Sequence, residues 1–417
     1  MAEVPMVFIL AGLAAYTVLA GADFGAGLWM LLTRPGRVGP AVTRDHARHA
    51  MGPVWEANHV WLIFALAVCW TAYPVAFGSI ASTLAVPLFI AAVGIILRGA
   101  SYALRGQLGG ARGRHLVEAL FVISSILTPF ALGAAVGGIA SGRVPVGNAA
   151  GNLVTSWLNP TSVVIGALAV ATGGHLAAVY LAADAHRLGE RSLEADFRAR
   201  ALGSGVVAGA LALTGLLVVR VDAPALYDGL TGDGGAIMVG ISAAAGLATL
   251  MLVWRYRFGM SRATAALAVA AIVAGWALAQ RPRVLPGLSI EQAAAGRATL
   301  LAVIVSVAVG AAVLVPSLFL LFHLYLRGRL DPAAGPGAAA RTRPASGRDA
   351  RHRTAQAVVA AATLLAGVVL TSVIGSGWPL VLGVVCLIVC AVATFGLVTT
   401  DITEEGSNGR AAVRRDG

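Results

Sequence analysis

Gly52-Pro53-Val54-Trp55-Glu56-Ala57-Asn58-His59-Val60-Trp61-Leu62 is the stretch on which the reading of this chain turns. It sets a carboxylate, an amide, an imidazole and two indoles at the opening of an apolar run that continues to residue 73. A charged residue at the centre of a membrane helix costs on the order of 2.5–3.5 kcal/mol on insertion scales, so such groups face protein or water and mark a pathway. The stretch reads as the polar interior of a membrane protein, and function has to be sought from it outward.

The surrounding chain agrees. Hydrophobic residues make up 58% of the 417 and charged residues 12%, against roughly 25% charged in a soluble domain. Apolar runs long enough to cross a bilayer recur at 6–32, 55–73, 79–104, 115–141, 160–186, 199–220, 236–254, 262–280 and 298–327, with two more at 355–375 and 377–400. The run at 55–73 is short and opens on polar groups, so a half-helix or re-entrant piece competes there with a full span. Backbone groups in lipid must pair within their own segment, and these runs are too long for barrel strands. The expected fold is an all-α integral membrane protein: a polytopic transmembrane helical bundle of about nine core helices plus a two-helix C-terminal hairpin.

The net charge of +11 does not point to nucleic acid. The basic residues, all arginines, gather in alternate loops: Arg34 to Arg48, Arg105 to Arg114, Arg187 to Arg200, Arg255 to Arg262, Arg327 to Arg353 and Arg410 to Arg415. The intervening loops are poor in arginine or acidic, as at Asp222, Asp228 and Asp233, with Arg281 and Arg283 the exception. This is the positive-inside pattern. It places the N-terminus outside and the C-terminus in the cytoplasm of a multi-pass membrane protein, with eleven spans if 55–73 crosses. The first apolar run follows no basic segment and precedes no small-residue cleavage site, so it reads as a retained helix.

Residues 1–330 read as the main bundle, 331–354 as a Pro/Gly/Arg-rich cytoplasmic linker, 355–400 as a two-helix transmembrane tail and 401–417 as a cytoplasmic tail. Cys69, Cys386 and Cys390 lie inside apolar runs and read as small buried thiols rather than metal ligands. No Walker loop, His-Glu-x-x-His or Cys-x-x-Cys is found, so no catalytic or metal residue is assigned to this chain alone.

The polar groups inside the runs are the candidate site. Asp23 lies deep in the first span among glycines and alanines, either as a proton or cation relay or as a partner to a neighbouring helix. Glu56, beside Trp55, Asn58 and His59, is either a proton-loading carboxylate or an acid favoured by a helix N-terminus. Arg98, like Trp61, is assigned a structural or pairing role, with snorkelling to the interface as the alternative for the arginine. His175 and His323, in different spans, form a candidate pair for a b-type haem if they face each other.

Read together, several stretches resemble subunit II of the cytochrome bd-type quinol oxidases. They are Ala20-Gly21-Ala22-Asp23-Phe24-Gly25-Ala26-Gly27, the Trp55-Glu56-Ala57-Asn58-His59-Val60-Trp61-Leu62 segment and Leu97-Arg98-Gly99. To these add Gly174-His175-Leu176 through Leu181 with Arg198-Ala199-Arg200, Gly275-Trp276 through Gln280 with Pro282 and Pro286, and Val315-Pro316. The resemblance implies a terminal oxidase that passes electrons from quinol to oxygen. It implies haem b and haem d in a partner subunit I, which forms a heterodimer with this chain in the lipid bilayer, and it leaves open a quinone bound by this subunit. It also implies a polar proton pathway with Glu56 as its carboxylate, Trp55 and Asn58 beside it and Asp23 as its companion in the first helix, to which His59 adds hydrogen-bonding capacity. Two positions depart from the family pattern: Ala20 stands where another Asp is usual, and Ala57 where Gly is. The alternative of another class is a secondary transporter or proton channel with a midplane carboxylate site at Asp23 and Glu56.

Overall fold

A computed structural model describes residues 1–33, 39–104 and 110–326 and the isolated positions 362, 363, 366 and 386; within these, side chains are described except at 40, 48–57, 110–112, 114, 315–316 and 318–326. The chain divides into two compact units, Met1–Leu321 and Phe322–Gly417. The expected linker, hairpin and tail beyond residue 330 lie outside the described residues, those four positions apart.

The long helices of the first unit are α1 (Val4–Leu32), α2 (Pro40–Ala72), α4 (Ala85–Ala103), α5 (Gly110–Ala140), α6 (Pro160–Leu188), α7 (Arg191–Asp222), α9 (Asp233–Trp254), α10 (Phe258–Gln280) and α12 (Arg297–Leu326). Shorter helices α3 (Pro74–Thr83), α8 (Pro224–Thr231) and α11 (Ile290–Ala293) and a two-stranded antiparallel hairpin, β1 (Arg283–Leu285) and β2 (Leu288–Ser289), sit between them. Eight described helices are long and apolar enough to cross a membrane. The helices of the bundle alternate in direction, because contacts between sequence-distant residues separate into two ends. At one end, Trp29 bonds the Gly174 carbonyl, Arg198 the carbonyls of Val253 and Trp254, and Arg262 that of Tyr180. At the other, Tyr73 bonds the Ala2 carbonyl, Arg281 pairs with Glu3, and Arg143 pairs with Asp222.

Three expectations are corrected. The run at 55–73 is neither a half-helix nor a re-entrant piece: it is the apolar end of α2, which has 33 residues and is therefore about 50 Å long at 1.5 Å per residue. Its polar end takes in Arg44 and Arg48, which the charge pattern had placed in a loop. The run at 79–104 is not one helix. Pro87 lacks an N–H, and its ring would strike the carbonyl four residues back, at Thr83; the chain breaks at Leu84 (φ −99°, ψ 25°) and restarts as α4. Of the two arginines that break the charge pattern, Arg281 is paired, the Glu3 carboxylate taking its Nη2 at 2.8 Å and its Nε at 3.2 Å.

Between lipid-like surroundings and a packed interior there is little hydrophobic drive to bring helices together, so small residues at the seams let backbones approach. A Cβ on Gly25 would stand 2.0 Å from the Gly173 carbonyl oxygen of α6, and one on Gly27 1.9 Å from Ser125 Oγ of α5. These two positions hold α1 at the centre, against α2, α5, α6 and α10. Large apolar side chains such as Phe89, Leu213 and Val221 point outward instead. The α6 N-terminus is closed by Asn159, whose side chain accepts from Ser162 N, and by Asp222 of α7, which accepts from both the amide and the hydroxyl of Thr161.

Gly25→Val is expected to push α1 off α6 and to destabilise at or beyond the upper end of the 1–3 kcal/mol typical of overpacking. Gly203→Ala, in α7 with nothing within 4 Å of the added carbon, is expected to be neutral or to gain up to about 1 kcal/mol. Thermal midpoints of the two variants in detergent check this.

Candidate functional site

Asp23 and Arg98 are both 0% exposed, one on α1 and the other on α4. Arg98 donates from Nε to Asp23 Oδ2 and from Nη2 to Oδ1, each at 2.7 Å, a forked pairing of the kind that gives arginine–carboxylate contacts their strength. Nη2 also donates to the Asp23 backbone carbonyl, and Nη1 donates at 2.9 Å to Ser125 Oγ of α5, which in turn donates to the Phe121 carbonyl. The remaining acceptor capacity of Asp23 is taken by Tyr102 OH at 3.1 Å and by Asn58 Nδ2 of α2 at 3.4 Å. One carboxylate thus draws on α1, α2 and α4, and its guanidinium extends the network to α5.

The faces of the guanidinium are covered as well as its edges. Its Cζ lies 4.6 Å from the ring centre of Phe24 and 4.1 Å from that of Phe121. A cation over an aromatic face is worth up to about 2 kcal/mol when desolvated, which offsets part of the cost of removing the charge from water. Arg98 therefore pairs rather than snorkels. Asp23 adopts the second of its two sequence readings, partner to a neighbouring helix, in a geometry with no open carboxylate oxygen.

The other candidates distribute around this pair. Asn58 is completely buried beside Asp23. His59 sets its ring edge-on to Tyr16 of α1, centroids 6.3 Å apart. Trp61, one turn beyond Asn58, packs with Tyr16, Ala20 and Phe24. Trp55 and Glu56 belong to α2, one turn or less before Asn58, and their side chains lie outside the described residues. Sequence reading missed Tyr102, Ser125, Phe121 and Tyr16. Tyr102 carried a signal, since it follows Arg98 by four residues and so shares its helix face; Ser125 and Phe121 carried none, because only packing brings α5 to this point.

Of the candidate haem pair, the side-chain surroundings of His175 are described. Its Nδ1 faces the Ala201 carbonyl at 3.0 Å, and a Cβ on Gly205 would meet Cε1 at 2.8 Å, so α7 packs against the Nδ1 edge of the ring. The side chain of His323 is outside the described residues. His46 is likewise engaged, Nε2 to the Leu181 carbonyl at 3.1 Å. Among the described residues no group of three or more His, Cys, Asp or Glu is placed to hold a metal ion.

Arg98→Met is expected to cost about 3–5 kcal/mol, the usual penalty for leaving one half of a buried ion pair uncompensated. Combining it with Asp23→Leu is expected to restore much of that loss. Denaturation midpoints of the single and double variants give the coupling directly; additive losses would mean that the pair does not act as a unit.

The model for the family described as cytochrome bd terminal oxidase subunit II matches residues 1–325. Over 115 residues the chain is 25% identical to cytochrome bd ubiquinol oxidase subunit 2 of Bacillus subtilis (strain 168), a match that covers 28% of this chain and 33% of that protein. The matched part thus spans about a third of the length of that curated relative. A solved structure, that of the bd oxidase from Geobacillus thermodenitrificans, superposes with a TM-score of 0.65 at 24% identity, covering 78% of this chain and 98% of the matched one, and shows a common fold. The helical membrane bundle, the order of its motifs and the family match over residues 1–325 lead to one assignment: the chain belongs to the cytochrome bd terminal oxidase subunit II family.

Proposed function

We propose that this chain is the non-haem subunit of a quinol:oxygen oxidoreductase in a bacterial cell membrane, its C-terminus in the cytoplasm, and that it forms a heterodimer with a haem-bearing subunit I. Haem b and haem d of that partner supply the electron transfer and the oxygen chemistry when bound. The part of this chain is to deliver protons. Reduction of oxygen to water consumes protons that must traverse low-dielectric protein, where only side chains and water can carry them.

The observation that supports this reading is the buried network of Asp23, Arg98, Asn58 and Tyr102 in the helix interior, in which both carboxylate oxygens of Asp23 are held by donors from α2 and α4. Such bonds rigidify the surroundings of the ion pair. Asp23 and Arg98 cancel each other's charge and fix Asn58, which lies half a turn from Glu56 on the same helix. Glu56 is the group that takes up and releases the proton. Trp55 and His59 flank it, and Asp23 acts as its fixed companion, positioning Asn58 rather than exchanging protons itself. The arginine-rich end of the bundle is the cytoplasmic entrance.

A transporter reading needs an ion site left open at the carboxylate and a discontinuous helix. Neither accords with the closed Asp23–Arg98 pair or with the unbroken α2.

Purified with its partner from native membrane, the chain is expected to travel with b- and d-type haem bands in a reduced-minus-oxidised spectrum. Glu56→Gln is expected to lower quinol-driven oxygen uptake on the order of 10²-fold, the scale of a lost proton-transfer group, with the haem bands unchanged. Full uptake in that variant would remove Glu56 from the pathway.

A further inference from the structure

At the arginine-rich end of the bundle, the last turn of α1 and the first membrane turns of α5 leave a groove of about 320 Å³ between them. Its walls are apolar: Met30 and Leu31 of α1, and Ala119, Val122 and Ile123 of α5. Met30 is buried, while Leu31 and Ile123 are each 50% exposed, so the groove faces outward from the bundle. A cleft of this size, apolar apart from a few placed polar groups, is the usual form of a site for a small amphipathic molecule.

Two opposite charges complete the lining. They are Arg44 of α2 and Glu118 of α5, with Nη1 and Oε2 3.8 Å apart and the side chains 38% and 32% exposed. That separation is longer than a hydrogen bond, and an exposed pair of this kind contributes little by itself. The sequence fixes the depth of the groove. Leu31 lies three residues before Arg34, and Ala119 five after Arg114. The groove therefore sits where hydrocarbon gives way to headgroups, on the side that the arginines mark as cytoplasmic.

Charge complementarity selects the occupant. An uncharged ring or tail would leave both charges as they are. A simple anion would gain Arg44 but meet Glu118. An ethanolamine-type phospholipid carries a phosphate for the guanidinium and, a short linker away, an ammonium whose N–H groups suit the carboxylate. Both contacts are then charge-assisted hydrogen bonds. A choline headgroup has the same two charges but no N–H to donate.

We propose that this groove binds one phospholipid of the cytoplasmic leaflet by its acyl chain, with the phosphate on Arg44 and a primary ammonium on Glu118. The site is separate from the proton route through Glu56 and does not depend on it.

Native mass spectrometry of the purified membrane complex tests this, after exchange into micelles carrying ethanolamine, choline or glycerol phospholipids of identical acyl chains. The unmodified complex is expected to retain the ethanolamine lipid in preference to the other two. Ile123→Trp, which sets an indole into the groove from an exposed position, is expected to lose one bound lipid. Glu118→Gln is expected to abolish the preference for ethanolamine over choline while lipid stays bound, and Arg44→Gln to lower retention of both. Equal retention of the three headgroups by the unmodified complex overturns the proposal, and so does a preference for the glycerol lipid, which marks a plain anion site. An unchanged lipid count in Ile123→Trp also overturns it, because the lipid is then bound elsewhere. A density map of the complex with a quinone, or a side chain of another subunit, seated in the groove has the same consequence.

Discussion

Everything at the centre of this bundle is arranged around the need to keep Arg98 and Asp23 charged where water does not reach. Withdrawing such a pair from water costs several kilocalories per mole for each ion, and mutual attraction offsets this only with good geometry and with the remaining donors and acceptors filled. The structure meets those conditions one by one. The fork supplies the geometry, Ser125 and the Asp23 carbonyl take further guanidinium donors, Tyr102 and Asn58 fill the carboxylate, and the rings of Phe24 and Phe121 lie against the cation. Each condition draws in a different helix, so the pair sets which helices must be neighbours. The glycines follow from it: Ser125 reaches Arg98 only because Gly27 lets α5 lie against α1.

The two ends of the bundle solve a different problem with the same residue type. At the end that carries most of the arginines, guanidinium groups serve as caps. Arg198 donates to the last carbonyls of α9 while its Cζ lies 4.3 Å from the Tyr256 ring centre; Arg262, by contrast, ties α10 to the body of α6 through the Tyr180 carbonyl. Helix C-termini leave carbonyls without intrahelical partners, and a cation there is also favoured by the helix dipole. The positive charge that sorts the loops between the two sides of a membrane is thus used a second time, to close helix ends. At the opposite end the same task falls to carboxylates: Asp222 closes the start of α6 and receives Arg143 in a bidentate pair.

The fold was largely legible in the sequence because hydropathy and arginine spacing are one-dimensional signals, and lipid demands both. What was misread lay where a local rule overrode hydropathy. The break at Leu84 is written in Pro87, inside a run that is apolar throughout. The polar start of α2 is helical because Arg44 and its neighbours need not enter hydrocarbon to belong to a helix. The site was half legible: an aspartate and an arginine inside apolar runs announce themselves, and their chemistry suggests pairing. That Asp23 and Arg98, 75 positions apart, are partners is a fact of packing, and a single sequence holds no signal for it. The hairpin of β1 and β2 and the pairing of Arg281 with Glu3 were hidden for the same reason.

The pairing also decides how Asp23 can contribute to chemistry. A carboxylate that exchanges protons needs a second arrangement of its partners to release into, and every oxygen of Asp23 is committed to groups that are themselves held on other helices. Its partners sit on α2 and α4, and the guanidinium among them is itself tied to α5, so freeing it means moving helices rather than turning one side chain. On our reading, then, the immobile charges set the field and the scaffold, and movement is left to the neutral hydrogen-bonding groups and to Glu56 beyond them. On that proposal protons pass a buried ion pair without spending it, and the most conspicuous charged residue of the first helix holds the pathway rather than serving as a step in it.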